Sequence, residues 1–158
     1  MGFRLVPVYR KVWYFKGERP RGVFFWSNKK LDLIGATDGK KVFYEWHDSL
    51  NSLTFKAFLS SFIDTLSKHK KYVFLMDNVG YHKTSCITNF LAKYPNIKTE
   101  YYPTYSPELN AIETCWKITR ACVTNSTYFK TIDEMKRSIE LFLDEHFFML
   151  NLSNYLCP

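Results

Sequence analysis

The sequence lacks the marks of several protein classes, and each absence narrows the reading. Its four cysteines, Cys86, Cys115, Cys122 and Cys157, form no C-x-x-C pair and no regular spacing, so neither a disulfide framework nor a zinc knuckle is indicated and reduced thiols are expected. No apolar run reaches the ~18 residues of a membrane span, and no basic segment leads into an apolar stretch at the N-terminus. A cytoplasmic protein with no membrane partner is the expectation. Repeats and linkers are also missing, which leaves one domain over residues 1–158. Acidic residues are in deficit: 15 Asp and Glu face 22 Lys and Arg, a formal charge of +7. That balance favours a polyanionic partner through summed field and counterion release, without identifying one.

Aromatic residues are abundant, with 14 Phe, 11 Tyr and 4 Trp, the opposite of a disordered composition. From Gly2 to Pro20 the chain reads as extended and irregular, with a short strand around Val12 to Phe15. Strands Leu31 to Thr37 and Lys41 to Trp46 flank Asp38-Gly39, a hairpin turn pair. After Asn51-Ser52, both good cap residues, Phe55, Phe58, Leu59, Phe62, Ile63 and Leu66 recur at helical spacing, up to the basic stretch Lys68 to Lys71. Tyr72 to Met76 is continuously apolar, as in a central strand buried on both faces. A short helix capped by Thr84 or Ser85, a strand from Ile97 to Tyr102, a helix opened by Ser106-Pro107-Glu108 and another opened by the capping box Thr131-x-x-Glu134 complete the order. Strands and helices in this order predict an α/β fold with a mixed sheet.

Two acids stand out by position. Asp77 follows the apolar strand at its C-terminal end, where open α/β sheets present ligands, and Glu113 lies in the first turns of the helix begun at Ser106-Pro107. Spacing alone leaves two readings open for each, because Asp before Asn is a common turn former and Glu near a helix start is favoured by the dipole. The segments around them carry more. Phe74-Leu-Met-Asp-Asn-Val-Gly-Tyr-His-Lys83 and Tyr102-Pro-Thr-Tyr-Ser-Pro-Glu-Leu-Asn-Ala-Ile-Glu113, followed by Trp116-Lys117, resemble the second and third acidic motifs of DDE transposases of the mariner superfamily, in particular its prokaryotic insertion-sequence branch. The 35 residues between Asp77 and Glu113 match that family's spacing. Gly2 to Pro7, Trp13, Gly17 to Pro20, Gly35-Ala36, Phe55 and Phe58-Leu59 extend the similarity over nearly the whole chain.

The resemblance implies a ribonuclease H-like fold and metal-dependent cleavage and transfer of DNA strands at transposon ends. By resemblance Asp77 and Glu113 are the second and third of three catalytic, metal-binding carboxylates, shared by two Mg²⁺ or Mn²⁺ ions. His82, Lys83, Lys117 and Arg120 are the candidate DNA contacts. Glu113, Lys117 and Arg120 share one helix face at i, i+4 and i+7, where a phosphate could meet both cations; a Glu113–Lys117 surface pair explains the pattern equally well. Asn78 and Asn110 are candidates for orienting the metal ligands, with Asn110 as well read as a turn residue bonding backbone. Trp116 and Ile112 fall on the opposite, core-facing side.

The first catalytic Asp of the family lies at the end of the first sheet strand, a few residues before the stretch that matches Gly2 to Pro7. No residue of 1–158 takes that place, since Asp32, Asp38 and Asp48 belong to the hairpin and its exit. The upstream helix-turn-helix region is likewise unmatched. The expectation is therefore a catalytic domain with its first strand missing or incomplete, inactive by itself, whose partners are transposon-end and target DNA, an upstream transposase segment or a second copy, in the nucleoid of a prokaryotic cell. The alternative is a non-catalytic DNA-binding or dimerising remnant of a transposase.

Overall fold

The hairpin is where local chemistry dictates the structure most directly. In the computed structural model, which describes residues 1–5, 15–17, 30–125 and 127–155, strands β2 (Lys30–Thr37) and β3 (Val42–His47) pair antiparallel from Asp32↔His47 to Thr37↔Val42. Their turn is tied by Asp38 Oδ1, which accepts from the backbone N–H of Lys40 and Lys41 at 2.9 and 3.0 Å. Gly39 supplies the positive φ of 87° the turn needs. A short strand β1 (Gly2–Arg4) adds to the other edge of β2, and Met1 and Leu33 exchange two further backbone bonds at 2.7 Å. This edge of β2 is thus covered as far as Leu33 by the start of the chain itself. The strand expected at Val12 to Phe15 lies outside the described residues except for Phe15, as do Val6, Pro7, Trp13, residues 18–20 and Cys157.

The second sheet is parallel: β4 (Tyr72–Met76) pairs with β5 (Ile97–Tyr101), and Tyr102 N extends the ladder to Met76 O at 2.9 Å. Among the described residues no backbone bond joins it to the three-stranded sheet. One expectation fails here. β4 is not buried on both faces, because Val73 is 59% exposed and only Met76 is fully buried. The face bearing Phe74 and Met76 packs into a core while the face bearing Val73 packs into neither core.

Helices sandwich the hairpin. Helix α1 (Ser52–Asp64) starts with a capping box between Asn51 and Thr54 and stops at Asp64, short of the basic stretch. With α2 (Ser85–Leu91) it covers the Ile34 face, where Phe43 packs against Phe58 and Phe62 at centroid distances of 5.6 and 5.3 Å. On the Leu33 face lie α3 (Ala111–Thr119) and α4 (Ile132–Glu145), with Trp116, Met135, Ile139 and Leu143 in the core. Polar ties hold α4 in place: Trp46 Nε1 donates to Glu140 at 2.9 Å and the Tyr44 hydroxyl to Asp144 at 2.8 Å. The expected capping box at Thr131 is only half formed, because Glu134 reaches the N–H of Lys130 rather than that of Thr131.

A single close approach sets the depth at which α3 sits. Gly35 lies directly under Trp116, and a methyl group there would sit 2.6 Å from two carbons of the indole. The absence of a side chain on β2 is what lets α3 dock this deeply.

Candidate active site

Asp77 is the first residue after β4, and its side chain is 54% exposed. Its position is fixed from beneath by His82, which is buried in the 3-10 turn Gly80–Lys83. The imidazole Nδ1 lies 3.0 Å from the Asp77 carbonyl oxygen and 3.7 Å from its carboxylate Oδ1. A carbonyl only accepts, so Nδ1 carries the proton in that bond. The ring stacks on Phe55 at 3.9 Å and meets Tyr81 edge-on at 4.5 Å. Burial pulls the His82 pKa below the usual value of 6.5, against the raising effects of the Asp77 carbonyl and charge. His82 therefore sits behind Asp77 rather than on the surface. Replacing it with Ala should cost about 2–3 kcal/mol through the cavity and the unpaired carbonyl. Because the folded pKa is depressed, the native protein should hold its full stability above about pH 6.5 and lose part of it as pH falls below that value. Urea melts at pH 7.5 and 5.5 measure both effects, and an unchanged pH dependence in His82→Ala would remove the assignment.

Glu113 arrives from the other side of the fold. The sequence predicts one helix from Ser106-Pro107, but the structure breaks it: Pro107–Leu109 forms a 3-10 turn, Asn110 leaves helical geometry (φ −97°, ψ 107°), and α3 starts at Ala111. Asn110 is the N-cap of α3, its side chain accepting from Ile112 N at 3.4 Å. Glu113 is thereby set in the first turn, where free N–H groups favour a carboxylate. Its side chain is exposed and makes no hydrogen bond or ion pair among the described residues, Lys117 included. Lys117 and Arg120 are exposed on the same helical run, with Arg120 opening a π-turn, Arg120–Thr124. Lys83 is exposed beside the Asp77 turn, its ammonium 5.0 Å from the Tyr101 ring centre.

The two acids meet at one cavity of about 410 Å³, beyond the C-terminal ends of the parallel strands. Asp77, Asn78 and Val79 line one side; Tyr102 to Pro107, Asn110 and Glu113 line the other. Of the sequence candidates, the structure brings Asp77, Asn78, Asn110 and Glu113 together, sets His82 beneath them, and leaves Lys83, Lys117 and Arg120 off the lining. Burial lowers the pKa of the Met1 amino group, against raising fields from Asp32, Glu113 and Asp77. The start of β1 therefore lies in the field of both acids.

Two residues were given no site role from sequence. Asp32 is buried at 4% exposure, with Lys30 Nζ reaching its two carboxylate oxygens at 2.6 and 2.7 Å. An acid interrupting an apolar strand was the available signal. Tyr105, in the cavity lining, is the sole non-glycine residue with positive φ among those described, at 59°. That conformation costs on the order of 1–2 kcal/mol for an L-residue, and no sequence pattern foretells it.

Three comparisons bear on the family and the fold. The profile of the family described as DDE superfamily endonuclease matches residues 1–136. The chain is 25% identical over 134 residues to the "Insertion element IS630 uncharacterized 39 kDa protein" of Shigella sonnei, which covers 84% of the chain and 39% of that protein. It superposes on a chain of the Mos1 transposase paired-end complex with left transposon end at a TM-score of 0.76 and 18% identity, covering 94% of this chain and 47% of that one. On the catalytic domain of Mos1 mariner transposase the TM-score is 0.67 at 18% identity, covering 84% and 71%. The chain thus spans less than half the length of the curated relative and of the Mos1 chain in that complex. Its α/β fold is the ribonuclease H-like fold of a transposase catalytic domain. An acid at the end of β4, a second in the first turn of α3 and a match over 136 of 158 residues lead to one conclusion: the chain belongs to the DDE superfamily endonucleases.

Proposed function

We propose that this chain is the catalytic part of a DNA transposase that cuts and joins strands at transposon ends, with Asp77 and Glu113 as metal-binding catalytic carboxylates. One observation carries the reading: two exposed acids from distant parts of the sequence line a single cavity. Their chemistry suits a hard divalent cation such as Mg²⁺ or Mn²⁺, since both offer carboxylate oxygens free of strong partners and no cysteine lines the cavity. Two such ions would supply activation of the attacking oxygen and stabilisation of the leaving one at a phosphodiester. The protein's own part is positioning. His82 and the capped start of α3 hold the two carboxylates, Asn78 and Asn110 line the cavity between them, and Lys83, Lys117 and Arg120 attract phosphates along its approaches.

Among the described residues no three His, Cys, Asp or Glu side chains converge as a metal cluster. The third carboxylate of the family pattern is therefore not assigned to any described residue. Residues 1–158 alone should have little cleavage activity. The same observation favours the second reading, a DNA-binding or dimerising remnant. Joining the chain to the protein segment encoded directly upstream separates the two: Mg²⁺- or Mn²⁺-dependent nicking and strand transfer supports the enzyme, and DNA binding without turnover supports the remnant.

In either case the partner is DNA, and the site of action is the nucleoid. Binding should weaken steeply with salt, and Lys117→Ala and Arg120→Ala should each lower the slope of log affinity against log salt by about 1. Fluorescence anisotropy over a salt series measures this, and slopes equal to the parent's would remove both residues from the interface.

A further inference from the structure

We infer that Tyr105 is a stacking platform for an unpaired nucleobase beside the cavity that holds Asp77 and Glu113. The inference rests on the DNA-binding reading above and adds a ligand group and the residue that takes it. Three observations carry it. First, the Tyr105 side chain is 100% exposed, so its ring gains nothing from the fold. Second, its backbone is held at φ 59° in the turn Thr104–Tyr105, a conformation that costs an L-residue energy and is over-represented at ligand-binding positions. Third, the loop that carries it is stiff: Pro103 and Pro107 flank it, each fixing its own φ and restricting the residue before it. A stiff loop that lines a cavity shared with two acids and carries a fully exposed aromatic ring is suited to capture a flat apolar group at little entropic cost.

The chemistry of the surroundings selects the group. The chain carries +7, with Lys117 and Arg120 exposed on α3 beyond Glu113, so an anionic partner is favoured over a neutral or basic one, and on the DNA-binding reading that partner is DNA. On a polyanion the flat face that a tyrosine can stack against is a base outside the double helix, and such stacking tolerates any sequence because every base has a π-face. A paired base offers its edges and not its face. Tyr105 should therefore discriminate single-stranded or frayed DNA from intact duplex.

The test uses the 158-residue chain and a short mixed-sequence oligonucleotide carrying one fluorescent adenine analogue, single-stranded and annealed to its complement. Tyr105→Ala should weaken single-strand binding by roughly 5- to 150-fold and abolish the fluorescence quench, leaving duplex affinity unchanged. Tyr105→Phe should bind as the parent does. Thermal melting supplies the readout a structural role would not give: Tyr105→Gly, which relieves the backbone, should melt higher than the parent while binding single strands as weakly as Tyr105→Ala. If Tyr105→Ala binds single strands as well as the parent, this inference is overturned and the DNA-binding reading stands. Loss in Tyr105→Phe equal to that in Tyr105→Ala would assign the contact to the hydroxyl and also overturn it. Parent protein that binds neither DNA form overturns both readings, and a fall in sedimentation rate in Tyr105→Ala would give the ring to a second copy of the chain instead.

Discussion

Asp77→Asn or Glu113→Gln, made in the chain joined to its upstream segment, should lower Mn²⁺-dependent nicking of supercoiled DNA by at least ~10²-fold. Each substitution keeps side-chain shape and removes a charge. Both positions are exposed, so packing is untouched and the melting temperature should stay within a degree or two of the parent. On the proposed function, what is lost is a negative oxygen pair that would hold the cations, and removing even one group that stabilises transition-state charge typically costs 10²–10³-fold. The two substitutions together should cost little more than either alone, because the carboxylates act as a unit. Isothermal titration with Mn²⁺ gives an independent readout, since each variant should bind the ion more weakly whether or not turnover is measurable. An extended protein that nicks at the parental rate with both substitutions would sink the assignment of these residues.

The second large effect concerns stability. Trp116→Ala should destabilise the fold by about 3–5 kcal/mol, the range for deleting a buried aromatic, against a total of ~5–15 kcal/mol for a domain. Trp116 is 3% exposed and rests on Gly35 of β2, so its loss opens the joint that sets α3, and with it Glu113, against the three-stranded sheet. The converse substitution attacks the same joint. Gly35→Ala puts a methyl 2.6 Å from the indole, an overpacking that should cost about 1–3 kcal/mol. Trp116→Phe removes the indole carbons that the methyl would strike, so the double variant Gly35→Ala/Trp116→Phe should be more stable than the sum of the single changes predicts. Urea denaturation of the four proteins measures the coupling; strict additivity would show that the contact does not limit docking.

How much of this was legible in the sequence depended on how local each determinant is. The hairpin followed from Asp38-Gly39 because a turn is decided by the residues in it, and α1 followed from Asn51 and the spacing of its apolar residues. Tyr72 to Met76 gave its strand to the residue but not its environment, since exposure of Val73 depends on which elements cover that face. The start of α3 was misread because Ser106-Pro107 is as good an opening as Asn110; the chain uses the first for a 3-10 turn and the second for the helix. Asp77 and Glu113 were found through the wording of two motifs, whereas their approach to one cavity is a property of the packed fold. The Gly35–Trp116 contact, the burial of His82 and the backbone of Tyr105 join or strain residues in ways that no pattern in one dimension encodes.

The separate ladders leave a mechanical signature. Asp77 rides on the parallel pair and Glu113 on a helix seated against the antiparallel three, and among the described residues only side chains interlock the two halves. The gap between the acids is consequently set, among the described residues, by side-chain packing rather than by a shared ladder of main-chain bonds. Spin labels placed on either half measure that gap, and a strand or a pair of ions bound across it should narrow the spread of separations.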